Sequence, residues 1–265
     1  MVKTLSLIVS LGLSLWVIAA PSAAVARRTL SIAEADVAEA RAEDLLRQGR
    51  QAADRGNFRE AIAAFTLALQ QDPTLTTAYL HRGQAHHDVG NFDQAIADFE
   101  QALRLEPENV RAIYSRGEAQ IDVGRPQGAI ADLSRAIALD PTHAQAYGDR
   151  AVAHLMLGNL QNALQDFDQA IALNAQNADL HYNRGKVRTA LGDWRGALSD
   201  YNQAIALNPN FAEAYGNRGL LRFEQGDRQA GLDDLQRALD LFQQQGNREG
   251  YHFTQTLIRQ LEAVE

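Results

Sequence analysis

The sequence predicts an all-α protein, a solenoid of six stacked helical hairpins. Three observations carry this: a 34-residue period, a glycine fixed in every period, and apolar residues at helical spacing between the glycines. Gly56, Gly90, Gly124, Gly158, Gly192 and Gly226 are 34 apart without exception. Ala68, Ala102, Ala136, Ala170, Ala204 and Ala238 keep the same step. So do Ala61, Ala95, Ala129, Ala163 and Ala197, with Gly231 in the sixth copy, and the large residues Phe65, Phe99, Leu133, Phe167, Tyr201 and Leu235. Pro73, Pro107, Pro141 and Pro209 close four copies, Ala175 stands in the gap, and Gln243 replaces the last proline.

Each copy reads as two helices. In the second copy the first helix covers Thr76–Asp88, and Gly90 ends it, because glycine accepts the left-handed backbone of a helix C-cap at little cost. Asn91 follows as a candidate N-cap, and the same place holds Asn57, Asn159, Asp193 and Asp227, with Arg125 the exception. Phe92, Ala95, Ile96, Phe99, Ala102 and Leu103 then form one apolar stripe. Glu106-Pro107 stops the second helix, since a residue before proline disfavours helical backbone.

This pattern resembles the tetratricopeptide repeat (TPR), in the frame 42–75, 76–109, 110–143, 144–177, 178–211 and 212–245. The family's first-helix glycine falls on Gly49, Gly83, Gly117, Gly185 and Gly219, with Ala151 in the fourth copy. The resemblance implies a right-handed superhelix that works as a binding scaffold, with the first helix of each repeat lining its concave face. On this chain that face would carry His81, Ser115, Asp149, Asn183 and Asn217 in one register, and Gln84, Glu118, Val152, Lys186 and Leu220 in another. Asn183 and Asn217 look like part of the asparagine ladder with which O-GlcNAc-transferase-type repeats hold a peptide backbone, although His81, Ser115 and Asp149 interrupt it. The alternative is a solvated polar face. The repeat type that clamps a C-terminal carboxylate is not matched, because its basic places hold Leu46, Leu80 and Tyr114. Val152, Leu155 and Met156, with Leu220 and Phe223 further along, either present an apolar partner surface or pack on neighbouring helices.

The departures from the family pattern carry information of their own. Its Leu before the glycine becomes Arg82, Arg116, Arg150, Arg184 and Arg218. Each of those copies has an aspartate sixteen residues later: Asp98, Asp132, Asp166, Asp200 and Asp234. The first copy has neither, with Gln48 and Ala64 in their places. Residues that come and go together within a copy predict an Arg–Asp bridge between the two helices of one repeat. The family's later Tyr is replaced by Ala52, His86, Gln120, His154, Arg188 and Arg222.

The two ends differ from the array. Lys3 is the only charge before Arg27, residues 5–20 are apolar, and Ala24-Val25-Ala26 offers a small-x-small cleavage site. That layout predicts a signal peptide over 1–26, cleaved near Ala26, and export to a periplasm, a thylakoid lumen or the medium. The alternative is an uncleaved anchor, but 16 apolar residues fall short of the roughly 20 a spanning helix needs. No stable membrane insertion is expected once the peptide is removed. Residues 27–41, with Ser31 and Glu34 at capping-box spacing, predict a helical extension that either lengthens the first helix or precedes it. Residues 246–265, with Tyr251, Phe253, Leu257, Ile258 and Leu261 as a stripe, predict a helix that covers the last repeat.

Charge and chemistry narrow the function. The formal net charge is -8, which disfavours a nucleic-acid partner. There is no cysteine, so disulfides, thiolate catalysis and Cys-ligated zinc are excluded. His81, His86 and His87 lack the one-turn spacing of a metal pair. No phosphate loop, nucleophile elbow or zinc-protease helix is present, and no cofactor is expected. Across the expected concave face nine acids (Glu43, Asp54, Asp88, Glu118, Asp122, Asp149, Asp179, Glu213 and Glu224) face four bases (Arg47, Arg50, Arg111 and Lys186), which disfavours an acidic ligand. The expectation is a non-enzymatic scaffold that binds a peptide or protein segment in its groove, in envelope or lumenal complex assembly. The alternative is a regulatory or targeting subunit of an enzyme complex.

Overall fold

A computed structural model describes residues 23–263, with side-chain surroundings from Val37 onward; residues 5–20, the apolar heart of the expected signal peptide, lie outside it. Thirteen helices and no strand make up the described residues. They pair in order as α1 (Ala23–Asp54) with α2 (Phe58–Gln71), α3 (Thr76–Asp88) with α4 (Phe92–Leu105), and α5 (Val110–Asp122) with α6 (Pro126–Leu139). Then come α7 (Ala144–Met156) with α8 (Leu160–Leu173), α9 (Ala178–Ala190) with α10 (Trp194–Leu207), and α11 (Ala212–Glu224) with α12 (Arg228–Gln244). A single helix, α13 (Arg248–Glu262), ends the array. Each helix packs most heavily on its sequence neighbours. Among helices two apart, first helices touch directly: α1 with α3, α3 with α5, and α5 with α7. That closer approach makes the first helices the inner wall of the superhelix.

The hairpin turns are Schellman caps. Gly90 has φ +77, its N–H donates to His87 O at 2.8 Å, and Asn91 N–H reaches back to His86 O at 2.8 Å. The five equivalent glycines of the other repeats share positive φ. The expected N-caps are corrected by the structure. Asn57, Asn91, Asn159 and Asp227 stand at the N-cap position, yet only Asp193 in that register caps with its side chain, accepting from Gly196 N–H at 3.0 Å. Backbone angle does not separate them, since Asp193 caps at ψ 69 and Asp227 at ψ 67 does not. Side-chain caps occur instead at first helices, from Asn109, His143 and Asn177, and at Asn247 before α13.

The ends also differ from expectation in detail. The chain is already helical at Ala23 and stays so to Asp54, so the Ser31–Glu34 spacing marks no helix start. At the far end, Gln243 in the proline place lets α12 run 17 residues where α10 has 14. In α13, Tyr251, Leu257, Ile258 and Leu261 are partly buried, while Phe253 is 70% exposed. Phe253 occupies the register of Gly219, the place that a following second helix would need empty. No helix of the described residues is long and apolar enough to cross a membrane.

Small residues set the hairpin distance. A Cβ on Gly83 would stand 2.7 Å from the Phe99 ring, and one on Gly185 would stand 2.7 Å from Tyr201. Phe65, Phe99, Leu133, Phe167, Tyr201 and Leu235 are all fully or nearly fully buried against that wall. In the fourth repeat Ala151 takes the glycine's place and is itself fully buried.

The bridge predicted between the helices of one repeat is present in all five copies that carry it. Arg150 Nε and Nη2 donate to the two Asp166 oxygens at 2.8 and 2.6 Å, and the Arg82–Asp98, Arg116–Asp132, Arg184–Asp200 and Arg218–Asp234 pairs repeat this fork. The aspartates are buried. Four of these arginines do a second job, reaching back to the preceding repeat. Arg82 Nη1 donates to Thr66, Arg150 to Ser134, Arg184 to Asp168 and Arg218 to Asn202. One guanidinium thus ties three helices. Residues in the family's later-Tyr place supply a second donor to the same aspartate: Gln120 to Asp132, Arg188 to Asp200 and Arg222 to Asp234. Repeat one, which lacks the aspartate, has Ala52 there.

Candidate functional site

The inner wall is built differently from this saturated spine. Its central feature is a cleft of about 170 Å³ at the junction of α5, α7 and α9. Core residues Phe167 and Leu180 form the floor with Val152, and Gly148 leaves one side open. Tyr114 forms the opposite wall. It crosses from repeat three into repeat four, where its hydroxyl donates to Asp149 Oδ2 at 2.7 Å and its ring packs on His143 at 4.6 Å. Two repeats later the design recurs: Tyr182 packs on Phe211 at 4.8 Å and its hydroxyl accepts from Asn217 Nδ2 at 3.0 Å. Tyr114, Gly148, Tyr182 and Gly216 are 34 apart, so a large and an absent side chain alternate along the wall.

Electrostatics distinguish the segments of this wall. Burial pushes the Asp149 carboxyl up, against the Tyr114 hydrogen bond and His143, which favour its charged form. Glu118 is also raised, chiefly by burial; His87 opposes this, and Asp149, Asp122 and Asp88 add to it. Burial and the same acids raise the Tyr114 phenol, so it stays a proton donor. Tyr182 is pushed up to about 12 by burial, Glu213 and Tyr201. Nearer the N-terminus the sign reverses: His81 is lowered by burial and by Arg111 and Arg50, with Asp54 opposing, and is neutral at pH 7.

The predicted groove residues divide accordingly. Asp149, Val152 and Asn183 converge on the cleft, and Glu118 is coupled to it through Asp149. Ser115 is 5% exposed, so it contributes little surface. His81 stacks on Phe65 at 5.7 Å, and Gln84 donates to Asp88 at 3.1 Å. Lys186 is exposed with its ammonium 5.4 Å over the Tyr182 ring. Asn217 already donates to Tyr182, and Leu220 is partly buried. Of the apolar group, Val152 and Leu155 pack against the core cluster of repeats four and five, while Met156 is 46% exposed. The three histidines diverge: His81 lies on Phe65, His86 faces Asn91, and His87 Nε2 pairs with Asp122 at 2.7 Å. Sequence reasoning missed Tyr114, Tyr182, Gly148 and Gly216 as site residues. Their signal is a 68-residue alternation, which a 34-residue comparison averages away.

Tandem helical hairpins joined by Schellman turns define the chain as an α-solenoid of the protein-interaction class. Family models described as TPR repeat match residues 153–192 and 185–226, and those described as tetratricopeptide repeat match 46–89, 83–147 and 133–165. Among solved structures, a crystal structure of MamA is 31% identical, with 62% of this chain and 96% of that chain covered and a TM-score of 0.58. PilF of Pseudomonas aeruginosa superposes with a TM-score of 0.69 at 17% identity, covering 84% of this chain and 98% of that one. YrrB, described as a TPR protein with an unusual peptide-binding site, gives 0.58 at 20% identity, covering 73% and 98%. A comparison with curated proteins finds no match. The chain belongs to the tetratricopeptide-repeat family.

Proposed function

We propose that this protein is an exported, non-enzymatic scaffold that holds an extended peptide or protein segment along its inner wall and serves complex assembly in an envelope or lumen. The observation that carries the groove is the cleft itself: an apolar floor ringed by Asp149, Asn174, Asn177 and Asn183, on a wall of rigid helices. Amide side chains both donate and accept, which suits peptide units of any sequence. A protein of the same fold, YrrB, has a peptide-binding site. The export reading rests on the basic tip, apolar stretch and small-residue site of residues 1–26.

The test is co-purification of the tagged protein from its own cell fractions, beside a variant with Asn183, Lys186 and Asn217 changed to Ala. A partner recovered with the wild type and absent with the variant supports the groove. A partner recovered equally with both places binding elsewhere. N-terminal sequencing of the recovered protein should begin at Arg27; an intact Met1 in the membrane fraction would overturn the export reading.

A further inference from the structure

The spine and the cleft treat carboxylates in opposite ways. Asp98, Asp132, Asp166, Asp200 and Asp234 each receive a forked arginine. Asp149, also substantially buried, has only the neutral Tyr114 hydroxyl at hydrogen-bond distance. Asp179 lines the same cleft, and no Lys or Arg does. The inner-wall cation of the following repeat, Lys186, lies over Tyr182. His143, against the far side of Tyr114, is the basic group that faces this acid from the preceding loop.

We propose that the cleft at Gly148 is the anchor subsite of the groove and takes one arginine or lysine side chain from an extended partner segment. The assignment rests on the peptide-groove reading above and adds the chemistry of the ligand. The volume fits one long side chain. An aliphatic stem would lie on Val152, Leu180 and the Tyr114 ring, and the cationic head would meet Asp149 and Asp179, as long basic side chains divide between apolar and charged surroundings. Gly148 is what makes the entrance: a Cβ there would stand 2.9 Å from Leu180 Cδ2. Two repeats on, the same register holds Asn217, an amide bonded to Tyr182, in place of Asp149, so the charge preference belongs to the central repeats.

The test is selection of displayed random twelve-residue peptides on the purified protein, followed by affinity measurement on synthetic winners. Each winner is compared with a copy in which its Lys or Arg is Gln, against the wild type and Asp149→Asn. That substitution installs the residue found in the same register at Asn217, and a melt within about 2 °C of wild type confirms folding. The expected winners share a Lys or Arg whose change to Gln weakens wild-type binding at least about tenfold, and Asp149→Asn by less than about threefold. Winners without a shared cation, or the same penalty in both proteins, would overturn the subsite and leave the groove standing. A selection that enriches no peptide would overturn the groove as well.

Discussion

Asp166 and Asp149 belong to the same repeat, the first buried and the second half-buried, yet they do opposite work. Asp166 is held by both prongs of Arg150, which also reaches Ser134 in the preceding repeat. Asp149, one residue before Arg150 in the chain, turns the other way and meets a phenol in the groove. Helical geometry separates the two: neighbouring residues point about 100° apart, so one faces the second helix and the next faces the inner wall. A fully paired buried charge makes a joint that fixes one packing. A half-paired one is a site with unmet capacity. The spine repeats from copy to copy, and the inner wall carries the differences between copies.

The largest expected effect lies in the spine. Asp200 is 2% exposed and receives both Arg184 and Arg188. Asp200→Ala removes the shared partner of two guanidinium groups and should cost about 2–4 kcal/mol in denaturant unfolding, the upper end being limited because both arginines still reach water and Asp168. A loss under about 0.5 kcal/mol would show that the bridges are ornamental. The first repeat offers the converse. Gln48→Arg with Ala64→Asp rebuilds the missing pair; together they should gain up to about 1 kcal/mol over the sum of the singles in a double-mutant cycle. No coupling would show that the pair needs the preceding repeat, which repeat one lacks.

Acidity separates the regions further. The Asp149 and Glu118 carboxyls are raised in the folded protein by burial, so the unfolded chain gives up these protons first as pH rises. Their contribution to stability is therefore present at low pH and lost as pH climbs from the ordinary carboxylate range through the raised one. Binding of a cationic peptide should run the other way, weakening as pH falls through that raised range while Tyr114, Asp122, Asp88, His87 and His143 share the field. A titration that follows ordinary exposed carboxylates would place the cation elsewhere. The smallest effect is expected at Lys186→Ala, which removes one exposed cation–π contact worth about 0.5 kcal/mol and should hardly move the melt.

The fold and the spine were legible in the sequence because both repeat at 34 residues. The Arg–Asp bridge could be assigned to one repeat because the first copy lacks both partners together, with Gln48 and Ala64 in their places. Capping was misread because residue type alone does not fix where a side chain turns: Asn57 fills an N-cap place but directs its amide to Glu60, and Asn91 directs its own to His86. The second reach of four of these arginines was also missed, although its acceptors Thr66, Ser134, Asp168 and Asn202 share one 34-residue register. The cleft was hidden for a different reason. It depends on what Gly148 does not fill and on where Tyr114 crosses between repeats, and a list of polar positions contains neither.

The division between joint and site is tested most directly by one matched pair, Asp149→Asn and Asp166→Asn, each measured for thermal unfolding and for capture of a cationic peptide. The account predicts that Asp166→Asn lowers the melting temperature by about 2–8 °C and leaves capture by the folded protein intact. Asp149→Asn should move the melt by no more than about 2 °C and lose the preference for the cation. Equal melts with capture unaffected in both would contradict it.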